Sequence, residues 1–177
     1  MALHQGIGPA ATQISEVARR AGVQRATVYN HFPDDRSLFA ACSAHWRSLH
    51  PSPDPVRWLA VSDPGERLRA ALGELYSWYR ETAAMTGNVL RDAQTLPALH
   101  GVIEGGLLRY LSGIPDILSD PFNTRGRRRE RILRSAGAVV DFQFWRALEP
   151  LGDADAAELG AGLVELAARP IRESRAN

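Results

Sequence analysis

Lysine is absent from this 177-residue chain: all 21 of its Lys-plus-Arg side chains are arginine, set against 20 Asp plus Glu. The formal charge of +1 excludes a protein that holds nucleic acid by bulk charge, so any such contact must come from a local patch or a shaped element. Cysteine is almost absent as well. A lone Cys42 excludes an intramolecular disulfide framework and fits a reducing, cytoplasmic compartment. No run of about 18 apolar residues occurs, so no membrane span is expected. The opening MALHQGIGPAAT has neither the basic nor the apolar region of a signal peptide. Enzyme signatures are missing: there is no Gly-rich phosphate loop, no H-E-x-x-H and no C-x-x-C spacing. Cys42 and His45 share a helix face with His50 farther on, and they read as packing and surface rather than as a metal site. Neither a metal nor a cofactor is expected.

What remains is helical. Short alternating runs bounded by turn residues do not occur, while apolar residues recur at spacings of three and four. The spacing predicts a helix from about Gln13 to Ala21 with Thr12 as its cap and Gly22 as its stop. A short helix from Arg25 to His31 follows. After Pro33, Asp34 caps a third helix that ends near Leu49. Pro51, Pro53 and Pro55 then mark a loop. Asp63-Pro64-Gly65-Glu66 opens a helix expected to reach Met85, with Asp63 as cap, Pro64 at the first position and Glu66 completing a capping box. Gly87 and Pro97 bracket a short helix, and Ile103 to Leu118 gives another. A long helix is expected over 126–148, and Asp153 caps a last one running to about Arg169. The fold class is therefore all-α, in two parts: three compact helices in residues 1–49 and a larger helical body in residues 50–177.

Within the first part, Ala18, Gly22 and Val28 have the A-x3-G-x5-V spacing of a helix-turn-helix. A small residue at 18 lets the two helices cross closely, Gly22 makes the turn, and Val23 and Val28 pin the second helix onto the first. That arrangement presents the second helix to a DNA major groove. The stretch from Ile14 to Phe32 goes further. Val17-Ala18, Ala21-Gly22-Val23, Thr27-Val28-Tyr29 and His31-Phe32, followed by Leu38, resemble the DNA-binding domain of TetR-type transcriptional regulators.

The resemblance implies an N-terminal reader and a C-terminal domain that binds a small effector and dimerises. It places Thr12 or Gln13 on a phosphate and sets Gln24, Arg25, Ala26 and Thr27 against base edges. Tyr29 and His31 would hold phosphates, and Asn30 would reach a base or the backbone. Arg25 is the specificity candidate, because a guanidinium pairs with guanine O6 and N7. The implied protein is an effector-responsive repressor that binds a palindromic double-stranded operator as a homodimer.

Two features depart from the family pattern. Asp35 stands where a phosphate-binding lysine is usual, and an acid there repels DNA. Only seven residues precede Gly8, so the family's first helix is expected to be missing, either through truncation or a misassigned start, or because the chain truly lacks it and exposes part of Ile14, Val17 and Leu38. Both motivate an alternative reading, a dimeric small-molecule-binding or scaffolding protein of the same fold that no longer binds DNA.

In the C-terminal body, the resemblance implies that the last two helices pair across a two-fold axis. Small residues four apart at Ala156, Gly160 and Val164, alternating with Ala157, Ala161, Leu163 and Leu166, are expected to serve that approach. Trp78, Tyr79, Tyr110, Phe142 and Trp145 are candidates for lining an effector cavity, with Arg91, Asp92 and Asp141 as polar anchors. The run Arg125, Arg127, Arg128, Arg129, Arg131 and Arg134 reads as a solvated helix start or anion site.

Overall fold

The computed structural model describes residues 2–170, and all regular structure among them is helical. The chain opens with α1 (Ala2–Ile7), α2 (Ile14–Ala21), α3 (Arg25–His31) and α4 (Asp35–Leu49). Gly22 ends α2 with φ 67° and ψ 27°; its N–H donates to Arg19 O at 3.3 Å and the Val23 N–H to Ala18 O at 3.0 Å. These are the paired bonds of a Schellman turn. Nothing lies within 4 Å of a Cβ built on Gly22, so the turn needs glycine for its backbone angle and not for space. Ala18 and Val28 are buried, which places the helix-turn-helix spacing on the inner face. Asp34 caps α4 in a capping box with Ser37, whose N–H donates to Asp34 Oδ1 at 2.7 Å.

The residues ahead of Gly8 form the six-residue helix α1. One expectation is corrected here. The N-cap of α2 is Gln13, not Thr12, whose hydroxyl instead donates to the Gly8 carbonyl at 2.7 Å.

The chain continues through α5 (Pro55–Trp58), α6 (Pro64–Asp92), α7 (Pro97–Ile103), a π turn at Glu104–Leu108 and α8 (Arg109–Ser119). It ends with α9 (Gly126–Val140), α10 (Phe142–Leu148) and α11 (Asp153–Ala168). Asp63 caps α6 by accepting the Glu66 N–H at 2.8 Å. That helix does not stop near Met85. It passes through Gly87 because Met85 and Thr86 are buried and Val89 and Leu90 pack onto a core, which offsets the roughly 1 kcal/mol a helical glycine costs. The segment Ile103 to Leu118, read as one helix, is the end of α7, the π turn and α8 in succession.

The expected helix over 126–148 breaks at Asp141 (φ −66°, ψ 137°), which caps α10 by accepting the Gln143 N–H at 2.7 Å. The break leaves the last carbonyls of α9 without helical donors. Two tyrosines on α6 supply them: the Tyr76 hydroxyl donates to Val139 O and the Tyr79 hydroxyl to Val140 O, each at 2.7 Å. Asp153 is the first residue of α11 and does not cap it; Gly152, at φ 87°, holds the cap position. The Asp153 carboxylate pairs with Arg80 at 2.8 Å and accepts the Trp145 indole N–H at 3.3 Å.

Packing divides the described residues into two units, and α6 contributes to both. The first holds residues up to Ser52 together with Glu81–Arg109, so the segment 81–109 packs with the N-terminal helices although it lies beyond residue 49. Its core is Phe39, Ala93, Leu99 and Ile103, with Val89, Leu90 and Leu96 against them.

The second unit holds Pro53–Arg80 and the residues from Tyr110 onward. Trp58, Leu68, Leu72, Leu75, Ile114, Leu118 and Ile132 are buried there, and α9 pairs with α11. Ala156, Ala157, Gly160, Ala161 and Val164 of α11 are also buried inside this unit. A Cβ on Gly160 would lie 3.1 Å from both Leu72 Cδ1 and the Tyr76 hydroxyl. The small residues expected to bring two protomers together thus bring helices of one protomer together, while Leu159, Leu163 and Leu166 point outward.

Buried Arg67 donates to the carbonyls of Val61, Ile117 and Leu59 at 2.7, 3.0 and 3.3 Å, tying α8 to the loop before α6. Two members of the arginine run do similar work. Arg128 donates to Ala168 O at 2.6 Å, and Arg131 to Ala167 O and Arg169 O at 2.9 and 2.7 Å. They satisfy carbonyls at the C-terminus of α11, where positive charge also suits the helix dipole. No helix among the described residues is long and apolar enough to cross a membrane.

Candidate nucleic-acid interface

The chemistry of the first unit starts from how its helices begin. Aspartates at 34, 54, 63 and 141 accept first-turn N–H groups of α4, α5, α6 and α10. By contrast α2 and α3 begin on Gln13 and Gln24, whose side chains accept no such bond, as is also true of the caps of α7, α9 and α11. First-turn N–H groups free of a side-chain cap are what a phosphate can engage.

The proposed base-reading residues lie together. Gln24, Arg25, Ala26, Tyr29, Asn30 and His31 are exposed along α3, Thr27 is half-buried, and Val28 anchors the helix from behind. Gln13 is exposed at the start of α2, and Thr12 is half-buried beside it. Along α3, Arg25 folds back on Tyr29: its Cζ lies 5.9 Å from the ring centroid, and its Nη2 donates to the hydroxyl at 3.4 Å. The guanidinium is therefore held by a weak, exposed contact that it can exchange for a base edge.

One of the two positive charges on α2 is offset. Glu16 accepts from Arg19 at 2.7 Å and from Arg20 at 2.8 Å. These two guanidinium groups, Arg19 first, push the Glu16 carboxyl down to about 2. Asp34 is also held below the usual carboxylate range, chiefly by the Ser37 N–H. Asp35 and Arg36 both stand exposed in the first turn of α4.

The five aromatic candidates for an effector cavity gather in the second unit. Tyr79 packs on Phe142 at 5.3 Å and on Trp145 at 5.6 Å, and Trp78 lies 6.2 Å from Tyr110 between ring centroids. Tyr79, Phe142 and Trp145 are buried with their polar atoms bonded, and burial pushes the Tyr76 and Tyr79 hydroxyls well above the ordinary tyrosine range. Trp78 and Tyr110 are half-buried, and the Tyr110 hydroxyl donates to Pro53 O at 2.9 Å. Arg91 and Asp92, the expected anchors, belong to the first unit instead, where they bond each other and the segment ahead of α2. Asp141 is occupied as the cap of α10.

Sequence reading missed Asn88, whose amide donates to His4 O and Gln5 O at 3.1 and 2.9 Å. Its partners are more than 80 residues away, and no local pattern marks it.

A glycine-turned helix pair that exposes a polar second helix, backed by Ala18 and Val28, has the geometry of a helix-turn-helix. Residues 1–42 match the family model for "Bacterial regulatory proteins, tetR family". That stretch forms a TetR-family N-terminal helix-turn-helix domain. The match takes in α1. No curated protein and no solved structure matches the chain.

Proposed function

We propose that the protein is an effector-responsive repressor that binds a palindromic operator as a homodimer, in the cytoplasm where that DNA lies. The observation that carries this reading is the exposed row Gln24, Arg25, Ala26, Tyr29, Asn30 and His31 on a helix anchored from behind by Val28. In this reading Arg25 leaves the Tyr29 ring to pair with a guanine, and Asn30, Thr27 and the start of α3 complete the base contacts. Tyr29, His31, Thr12 and Gln13 hold phosphates and set the register. Two such heads about 34–36 Å apart read successive major grooves, so a near-neutral chain binds through placed residues and geometry.

The dimer reading draws on α11, where Leu159, Leu163 and Leu166 are 46%, 41% and 58% exposed on the outer side of the helix. A second copy covering these leucines is the economical way to remove them from water. The effector is proposed to meet the second unit at the aromatic cluster of Trp78, Tyr79, Tyr110, Phe142 and Trp145. Effector and operator then prefer different head spacings, and each weakens the other by the same factor.

Exposed Asp35 favours a second reading, in which the dimer binds small molecules and has lost DNA. A mobility shift on DNA flanking the protein's own gene separates the two. Salt-sensitive binding that Arg25→Ala weakens roughly ten- to hundredfold supports the repressor, since one bidentate base pair is worth about 1–3 kcal/mol. Absence of binding by the dimeric chain supports the second reading.

A further inference from the structure

We propose that Asp92, supported by Asn88 and Arg91, is a positioning residue for DNA binding: from the last turns of α6 it fixes the segment that leads into α2. The assignment rests on the DNA-binding reading above and adds residues outside the helix-turn-helix to it.

A six-residue helix such as α1 does not hold itself together in water. Asn88 caps it from outside by donating to two of its carbonyls, His4 O at 3.1 Å and Gln5 O at 2.9 Å. Four residues on, Asp92 is only 5% exposed. One of its oxygens accepts the Ala10 N–H at 2.9 Å, and the other accepts Arg91 Nε at 2.8 Å. Arg91 Nη1 in turn donates to Asn88 Oδ1 at 3.0 Å, which closes a polar ring on one face of α6.

The chain passes this ring at Gly8, where φ is +89° and a Cβ would collide with the Asp92 carboxylate and the Arg91 guanidinium. Beyond it, Thr12 bonds back to the same turn, through its hydroxyl to Gly8 O at 2.7 Å and its N–H to Pro9 O at 3.1 Å. Gln13 then opens α2 without a side-chain cap. Asp92 is thus two hydrogen bonds from the residues proposed to touch phosphate.

A buried carboxylate costs free energy unless each oxygen is bonded. An apolar side chain could fill the space, but it would not specify where one particular amide sits. The structure uses the costlier group at the point where the direction of α2 is set.

The test compares the full chain with its Asp92→Ala, Asp92→Asn and Asn88→Ala variants on a duplex recovered by the unaltered chain from a random pool. Asp92→Ala should weaken binding on the order of tenfold, in line with the loss of one helix-terminus phosphate interaction per head. The slope of log K against log salt should fall by about 0.9 for each phosphate released, while base preference is unchanged. Asp92→Asn, which keeps an acceptor for Ala10, should restore most of the slope.

An unchanged slope in Asp92→Ala overturns the proposal, and so does a loss of base preference in step with the slope, which would mean that the whole head had come apart. If Asp92→Ala does not fold, Asn88→Ala carries the test through amide exchange in the free protein. Faster exchange at Ala10 and the first turn of α2, with α3 unaltered, supports the assignment, and equal exchange overturns it. A pool from which the unaltered chain recovers no sequence defeats the DNA-binding reading itself, and this assignment with it.

Discussion

Removing the hydroxyls of Tyr76 and Tyr79 tests how the break at Asp141 is held. Each hydroxyl donates 2.7 Å to a carbonyl at the end of α9, Val139 O and Val140 O, and both rings are fully buried. Phenylalanine keeps the ring packing and leaves a buried acceptor unpaired, which costs about 1–3 kcal/mol. The two carbonyls are adjacent, so the double variant need not be additive. A loss of about 1 kcal/mol shifts Tm by roughly 2–4 °C in a chain of this size. Each single variant should therefore melt several degrees lower, and the double variant lower still. Urea unfolding followed by far-ultraviolet circular dichroism reads the loss directly.

The same pair predicts an alkaline limit. Burial raises both hydroxyls above the ordinary value of 10.0, so the unfolded chain releases its protons first. Their contribution is complete below pH 10 and declines as pH rises beyond it. The double phenylalanine variant should lose that part of the alkaline sensitivity. Single variants within about 0.5 kcal/mol of the unaltered chain, with the alkaline limit unmoved, would refute the idea that these hydroxyls hold the helix end.

Other outcomes follow from the reading head and the outer face of α11. Asp35→Lys should tighten DNA binding and steepen the salt dependence by about 0.9 for each phosphate newly engaged, measured by fluorescence anisotropy. Glu16→Gln should also tighten DNA binding by releasing Arg19 and Arg20. In the unaltered chain the folded carboxyl titrates near 2 against 4.5 when unfolded, so its small stabilising effect is present above pH 4.5 and fades as pH falls toward 2. Leu159→Glu with Leu163→Glu should convert a dimer to monomers in sedimentation velocity, with the melting of the protomer nearly unchanged because both positions are exposed within it.

The reading head was legible because its boundaries are local chemistry. Gly22 supplies a positive φ, Asp34 and Ser37 form a cap three residues apart, and the prolines after Leu49 stop α4. What sequence could not carry depends on distant partners. Asp141 reads as an ordinary polar residue inside a helical pattern, and the break there is stabilised by tyrosines 61 and 63 residues from the carbonyls they hold. Gly87 reads as a stop, yet packing around Met85, Val89 and Leu90 carries α6 through it.

Ala156 and Gly160 do signal a close helix approach, but small residues look alike whether the neighbouring helix belongs to the same protomer or to another. Arg91 and Asp92 read as polar anchors for an effector. Their partner Ala10 is 82 residues from Asp92, and only the fold reveals that bond.

The central claim is that Arg25 reads sequence from a two-headed dimer. Selection from a random duplex pool, run in parallel with the unaltered chain and with Arg25→Ala, tests it most directly. The account predicts enrichment of a palindrome whose half-site centres lie about one helical turn, 10–10.5 base pairs, apart. It also predicts that one guanine in each half-site loses its preference in the Arg25→Ala pool. An identical base profile from both chains, or no enriched sequence from the unaltered one, would contradict it.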